Sequence, residues 1–193
     1  MSAAQGRIEL RPARPDDARR LFEWANDPAT RAASFDRAPI PWQEHVVWLA
    51  AVLADPDRRL WIAEEAGAPV GQLRVDRAPG GAGTVSIGLA PAARGRGLGP
   101  VVLRMGVAAA VRELGIGRAR AVVMAANLPS RRLFEGAGFA AVAAAAAGGV
   151  AAAGPVAAAG PVAAAGPDRP GHQAALVLEA DAAAFAAEPE SRP

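Results

Sequence analysis

The chain has 193 residues, of which 52% are hydrophobic, largely through Ala, and 21 basic residues against 19 acidic ones leave a net charge of +2. With no Cys there is no disulfide framework, no thiol chemistry and none of zinc's usual sulfur ligands, so no metal site is expected. The small charge, with no basic run interleaved with aromatics, argues against nucleic acid, and no stretch of about 18 strongly apolar residues could span a membrane. The segment from Met1 to Arg7 lacks the apolar stretch of a secretion signal, so the expectation is a cytoplasmic protein. The length suits one domain with a sizeable core.

Ile8 to Arg11 reads as a first strand. Pro12 and Pro15 punctuate it, Asp16 is a candidate N-cap, and Ala18, Leu21, Phe22 and Ala25 keep helical spacing. Asn26-Asp27-Pro28 stops that helix. A loop through Phe35 and Pro39 then leads to a second helix, about Trp42 to Ala54, with His45, Trp48, Leu49 and Val52 on one face. Asp55-Pro56-Asp57 ends it. Leu60 to Glu64 and Val70 to Asp76 read as strands joined by a turn around Gly67-Ala68-Pro69. Strand alternation puts Gln72 and Arg74 on one face of the second. A turn from Pro79 to Gly83 precedes the strand Thr84 to Leu89. A helix from Pro100 to Leu114, a strand from Ala119 to Ala125 and a short helix from Ser130 to Glu135 complete this part. The pattern predicts a mixed α/β domain with a largely antiparallel first half.

Ala141 to Gly166 is almost entirely Ala, Gly, Val and Pro, with Gly-Pro-Val-Ala-Ala-Ala recurring. The unit is too short and too poor in large apolar residues to build a repeat core, and each Gly-Pro interrupts helix formation. The expectation is a single domain over 7–184. Within it, 140–170 is a flexible insertion ahead of a strand from His172 to Glu179, and 185–193 is a flexible tail.

The most informative segment is Arg94-Gly95-Arg96-Gly97-Leu98-Gly99, between a strand and a helix. Such a turn leaves backbone N–H groups without intrahelical partners at the positive end of a helix dipole. The glycines permit close approach, and Arg94 and Arg96 add charge, a combination suited to a pyrophosphate. A Walker loop needs Gly-Lys-Ser/Thr, and the chain has no Lys. A dinucleotide fold would place the turn after an early strand, with an acidic residue about 20 positions on. An ordinary Gly-rich turn stays open at this point.

A second motif is Asn127-Leu128-Pro129-Ser130-Arg131-Arg132-Leu133-Phe134-Glu135-Gly136-Ala137-Gly138-Phe139. Gly138 in it suits a left-handed cap with Phe139 folding back as a clasp. Taken together, Arg-x-x-Gly-x-Gly, a helix, a strand and Asn-x-x-Ser-x-x-Leu-Phe-Glu-x-x-Gly-Phe resemble the GNAT superfamily of N-acetyltransferases. The resemblance implies a central, mostly antiparallel twisted sheet of about seven strands, flanked by helices and splayed around acetyl-CoA. It implies that Arg94, Gly95, Arg96, Gly97, Leu98 and Gly99 hold the pyrophosphate, and that Asn127, Ser130 and Phe134 lie against the pantetheine and thioester. Leu89 matches the position whose backbone N–H serves as the oxyanion donor.

Two departures from the family pattern stand out. Phe134 occupies the place of the usual Tyr acid, and the chain contains no Tyr. The thiolate must leave unaided or through water, or Ser130 must substitute. Thr84 begins the strand on which many relatives carry a Glu, which leaves His45 as the candidate base, against a packing role beside Trp48.

The stretches Trp24 to Arg31, Ser34-Phe35, Trp42 to Trp48 and Gly71 to Arg74 resemble sugar-nucleotide N-acetyltransferases of bacterial pseudaminic acid pathways. Rim-type protein acetyltransferases share much of this pattern. The resemblance implies a small-molecule amine acceptor, a 4-amino sugar linked to UDP. The candidate acceptor residues are Asn26, Arg31, His45, Trp48, Gln72 and Arg74: an indole such as Trp48 can stack on a sugar or uracil face, Arg31 and Arg74 can pair a phosphate and Asn26 can bond a hydroxyl, against the alternative that Trp24 and Trp48 are core and Arg31 is a surface charge. Two alternatives are acetylation of a protein N-terminus and a non-catalytic acyl-CoA-binding module. A monomer or homodimer is expected.

Overall fold

The computed structural model describes residues 6–142 and 175–186. Among them, seven strands form one open sheet: β1 (Ile8–Pro12), β2 (Arg58–Glu65), β3 (Ala68–Arg77), β4 (Ala82–Leu89), β5 (Arg118–Met124), β6 (Ala140–Val142) and β7 (Ala175–Asp181). Their order is β1-β2-β3-β4-β5-β7-β6. Every neighbouring pair is antiparallel except β4 and β5, which run parallel. The helices are α1 (Ala18–Ala25), α2 (Pro28–Ala32), α3 (Trp42–Ala54), α4 (Leu98–Leu114), α5 (Leu128–Gly136) and α6 (Ala183–Ala186). This is the mixed α/β architecture expected.

Alternation along the strands builds two cores. Leu73, Val75, Val85, Ala119, Ala121 and Val123 belong to one cluster with Val102, Leu103, Val107 and Ala110 of α4. On the opposite face Leu60 and Ile62 meet Leu21 and Ala25 of α1 and Trp48, Leu49 and Val52 of α3. In α4, Gly106 makes the close helix–sheet approach possible. A Cβ there would stand 2.4 Å from Leu73 Cδ2.

Several boundaries differ from expectation, each for a local reason. Pro28 stops α1 but also starts α2, because the Asp27 side chain accepts the Thr30 N–H at 3.0 Å and caps the new turn. Helix α4 begins at Leu98, with Gly97 as its N-cap at φ 76°. Pro100 therefore sits within the first turn, where an N–H would have no intrahelical partner anyway. Strand β6 takes up 140–142, the first residues assigned to the insertion, and pairs Ala141 with Leu178. Phe185 of α6 is buried and edge-on to Phe139 at 5.8 Å, so the ordered core extends into the stretch assigned to the tail. His172 lies outside the described residues.

The acid that organises the entry to α1 is Asp17, not Asp16. Its buried carboxylate accepts from Arg11 Nη1 (2.7 Å) and Nη2 (2.8 Å), from Arg20 Nη1 (3.0 Å) and from the Arg14 backbone N–H (2.9 Å). Burial pushes its pKa up, but the bonds to Arg11 and Arg14 and the charges of Arg11 and Arg20 outweigh this and hold it below the usual range. Asp17→Ala is expected to cost about 2–4 kcal/mol in urea unfolding at pH 7, because it removes a buried carboxylate that accepts four hydrogen bonds and leaves the Arg11 guanidinium with Glu64 as its remaining acidic partner. Since the folded pKa is the lower one, this stabilisation is complete above the unfolded carboxyl pKa. It drains away as pH falls through the folded value, so the deficit of the variant should narrow below about pH 4.

Candidate active site

Strands β4 and β5 pair only over Ala82–Thr84 and Arg118–Arg120, then part. Beyond Thr84, β4 keeps β3 as a partner while β5 keeps β7. At the two ends of the β3–β4 ladder, the Ala78 N–H donates to Ala82 O (2.8 Å) and the Ala90 N–H to Val70 O (2.9 Å). Alternation in an antiparallel ladder then directs the amides of Thr84, Ser86 and Gly88 toward β3. Those of Val85, Ile87 and Leu89 point away from β3, Val85 onto β5 where the Thr84–Arg120 bridge closes and Ile87 and Leu89 into the opening. The split is thus a cleft with one edge of unpaired backbone, ending at Leu89.

The chain leaves Leu89 through a short 3-10 turn, Pro91–Ala93, and enters α4 over Gly95 (φ 74°) and Gly97 (φ 76°). Both conformations suit glycine and would strain other residues. The result is a set of backbone N–H groups at the positive end of a helix of 17 residues. The arginine side chains are otherwise engaged. Arg94 donates from Nη1 to Asp27 Oδ2 (2.7 Å), from Nη2 to Thr30 Oγ1 (2.8 Å) and from Nε to Leu89 O (3.3 Å). Burial pushes Asp27 up, yet Arg94 and the Thr30 N–H hold its carboxyl below the usual range. Arg96 donates to Glu65 Oε2 at 2.6 Å. The loop's backbone N–H groups are thus its donors not taken up by these ion pairs, and Arg94 fastens the loop to α2.

The second motif follows the C-terminal end of β5, at the same end of the sheet as Leu89, because the two strands run parallel. Asn127 caps α5: its Oδ1 accepts the Ser130 N–H at 3.1 Å. A structural role thus accounts for the residue that sequence logic reserved for a ligand. Leu133 packs against Gly99 at the start of α4, where an added Cβ would stand 3.2 Å from Leu133 Cδ1. Ser130 is half-buried. Phe134 is 1% exposed, edge-on to Phe139 at 5.0 Å, with the Phe139 N–H on Phe134 O at 3.0 Å, so it serves the core. Gly138 (φ 93°) closes the helix in the left-handed conformation.

Across the sheet from α4 lies a narrow cavity of about 40 Å³ lined by Trp24, Ala25, Thr30, Gln72, Ile87, Gly88 and Leu89. Gln72 is 8% exposed, and its Oε1 has no hydrogen-bond partner. Such a group costs about 1–3 kcal/mol when left unsatisfied. Arg74, two residues along the same face, is buried over the Trp48 ring (5.4 Å), with Nε 3.1 Å from Asp76 Oδ1. Burial lowers its pKa despite the nearby Asp76.

A family model of the acetyltransferase (GNAT) domain matches residues 7–140. The chain belongs to the GNAT acetyltransferase family. No curated protein matches it in sequence. Spermidine N-acetyltransferase from Vibrio cholerae, in complex with CoA and spermine, superposes with a TM-score of 0.71 at 15% identity, over 92% of this chain and 97% of that one. Ribosomal-protein-alanine N-acetyltransferase from Brucella melitensis does so with a TM-score of 0.66 at 20% identity, over 90% of this chain and 99% of that one. These likenesses establish a shared fold.

In this GNAT acetyltransferase several candidate acceptor residues hold the fold instead. His45 has no exposed surface. Its Nε2–H donates to Ala18 O at 2.9 Å, and its ring packs against Phe22 (5.5 Å) and Trp42 (6.0 Å). A base sealed between α1 and α3 cannot reach an acceptor, which corrects that assignment. Asn26 is likewise occupied, by both polar groups of Ile40: Nδ2 donates to its O (3.2 Å) and Oδ1 accepts its N–H (2.7 Å). Arg31 donates to Ala38 O and Ser34 Oγ, pinning the loop after α2. Trp48 is core. Of the six candidates only Gln72 reaches the cavity. Trp24, Thr30, Ile87 and Gly88 line it without having been singled out as acceptor contacts. Trp24 stood in a recognised stretch, but only the docking of α1 over β4 turns it toward the cavity.

Proposed function

We propose that this enzyme transfers the acetyl group of acetyl-CoA to the primary amine of a small acceptor, with an amino-sugar nucleotide as the favoured class. The observation that carries the donor side is the free backbone edge of β4 at Ile87 and Leu89, which leads onward to the N-terminus of α4. When bound, acetyl-CoA supplies an activated thioester carbonyl. The free amide of Ile87 can pair with the amide-bearing pantetheine arm as a strand would. The α4 N-terminus and its glycine loop offer N–H groups to the pyrophosphate. The Leu89 N–H points where it can stabilise the carbonyl oxygen as it gains charge. In the transfer, the amine nitrogen bonds to the acetyl carbon, the carbon–sulfur bond breaks, and the proton lost from nitrogen passes to water or to the departing thiolate. Ser130 is the remaining side-chain candidate for delivering a proton to sulfur, since Phe134 is apolar and buried.

The acceptor class is supported by charge. No carboxylate lines the cavity, Asp27 beside it is neutralised by Arg94, and Arg74 is the neighbouring buried cation. A polycation would find no partner there. The N-terminal resemblance is what favours the amino sugar within this class. A protein N-terminus is the second reading, favoured by the structural use of Asn26, Arg31 and Trp48. The test is calorimetric titration with acetyl-CoA, then thiol release with a UDP-linked 4-amino sugar, an alanyl peptide and spermidine. Release on the amino sugar and none on spermidine is expected. Preference for the peptide would select the second reading, and binding without release on any amine would indicate a non-catalytic module.

A further inference from the structure

We infer that Gln72 receives the amine of the acceptor: its Oε1 accepts an N–H of the incoming primary amine and holds the nitrogen beside Leu89, an inference that rests on the acyl-transfer reading above. Gln72 sits on β3 opposite Gly88, which has no side chain to fill the space. A Cβ on Gly88 would stand 3.7 Å from Gln72 Nε2, so that nitrogen lies over the glycine. The oxygen is the group left without a partner.

The other lining groups cannot take this role. Trp24, Ala25, Ile87 and Leu89 bring apolar side chains, and an indole N–H only donates. The Thr30 hydroxyl is engaged on both sides, donating to Asp27 Oδ2 (3.3 Å) and accepting from Arg94 Nη2 (2.8 Å). Among the lining side chains Gln72 Oε1 is therefore the hydrogen-bond acceptor without a partner, and because almost none of its own surface is exposed, the amide turns about its terminal torsion to present it to the amine. An amide oxygen accepts only, so its ligand must bring an N–H or O–H. The cavity is narrow, so the part of the acceptor that meets Gln72 is the end that carries the amine. The cavity thus reads the reacting nitrogen, and the rest of the acceptor stays outside.

The test uses ethylamine, whose small size makes it independent of the acceptor class. Thiol release is measured on the full-length protein, with the enzyme-free rate subtracted, and acetyl-CoA affinity is measured by calorimetry. Gln72→Met keeps the length of the side chain and removes the acceptor; Gln72→Glu keeps an acceptor oxygen. Gln72→Met should lower kcat/KM for ethylamine at least about tenfold, with acetyl-CoA affinity unchanged, while Gln72→Glu keeps most of the wild-type value. Wild-type values in Gln72→Met would overturn the proposal. So would equal losses in both variants with acetyl-CoA still bound, or loss of acetyl-CoA binding in both, which would mark a structural role. Wild-type protein that binds acetyl-CoA yet acetylates neither ethylamine nor any other primary amine would overturn the acyl-transfer reading itself, and the proposal with it. That outcome is distinct, because a failure of Gln72 alone leaves the wild type active.

Discussion

Replacing Leu89 by Pro is expected to lower kcat about 10²–10³-fold in a protein that still folds. The ladder that holds β4 to β3 uses the amides of Thr84, Ser86, Gly88 and Ala90, so the Leu89 N–H contributes nothing to it. Proline is tolerated where a strand's N–H faces away from its partner, and it favours an extended conformation in the residue before it, which Gly88 already has. What the substitution removes is one donor at the end of the cleft. A preorganised donor aimed at a developing oxyanion is a large contribution in acyl transfer because it requires no reorganisation as charge appears. Leu89→Ala, which keeps the N–H, should stay within a few-fold of wild type. The pair is read by steady-state thiol release on the best acceptor, with thermal melting as the check on folding. Wild-type kcat in Leu89→Pro would place the oxyanion donor elsewhere.

The second large effect is on stability, at the contact between α4 and β3. Gly106→Ala is expected to destabilise although alanine is the better helix former. The helix preference favours Ala by about 1 kcal/mol. Against it, the new methyl would stand 2.4 Å from Leu73 Cδ2, 2.5 Å from Cδ1 and 2.8 Å from Cγ, and Leu73 has no exposed surface into which it could move. Overpacking of this kind costs about 1–3 kcal/mol, and contact with three atoms of one enclosed side chain puts it toward the upper end, so packing wins. Leu73→Ala alone should cost about 2–5 kcal/mol through the cavity it leaves. In that background Gly106→Ala fills part of the cavity and adds helix propensity, so its sign should reverse. Urea unfolding of the four proteins measures the cycle, and additive losses would show that the two residues do not share this space.

Both predictions turn on features that differ in how far the chain itself disclosed them. The glycines at 95 and 97, the order of elements and the second motif were legible because each depends on short-range rules: which residues accept positive φ, which spacing makes an amphipathic face, which dipeptides stop a helix. The face shared by His45, Trp48, Leu49 and Val52 was read correctly as a face, and all four are buried. What it packs against was not legible, and this made the difference between a base and a core histidine. Arg94 shows the same limit. Its place in a glycine loop suggested a phosphate ligand, but its partner Asp27 is 67 residues away and meets it only when α2 docks beside the loop.

The sequence by itself determined the family, the loop at the start of α4 and the sidedness of the strands, because local backbone preference and hydrophobic period specify these within a few residues. Tertiary structure alone decided which polar groups remain available. Asn26, Arg31, His45 and Asn127 bond to backbone groups of the fold, whereas Gln72 Oε1 does not. The physical reason is that a buried polar atom almost always finds a partner, and whether that partner is protein or ligand depends on which distant element folds over it.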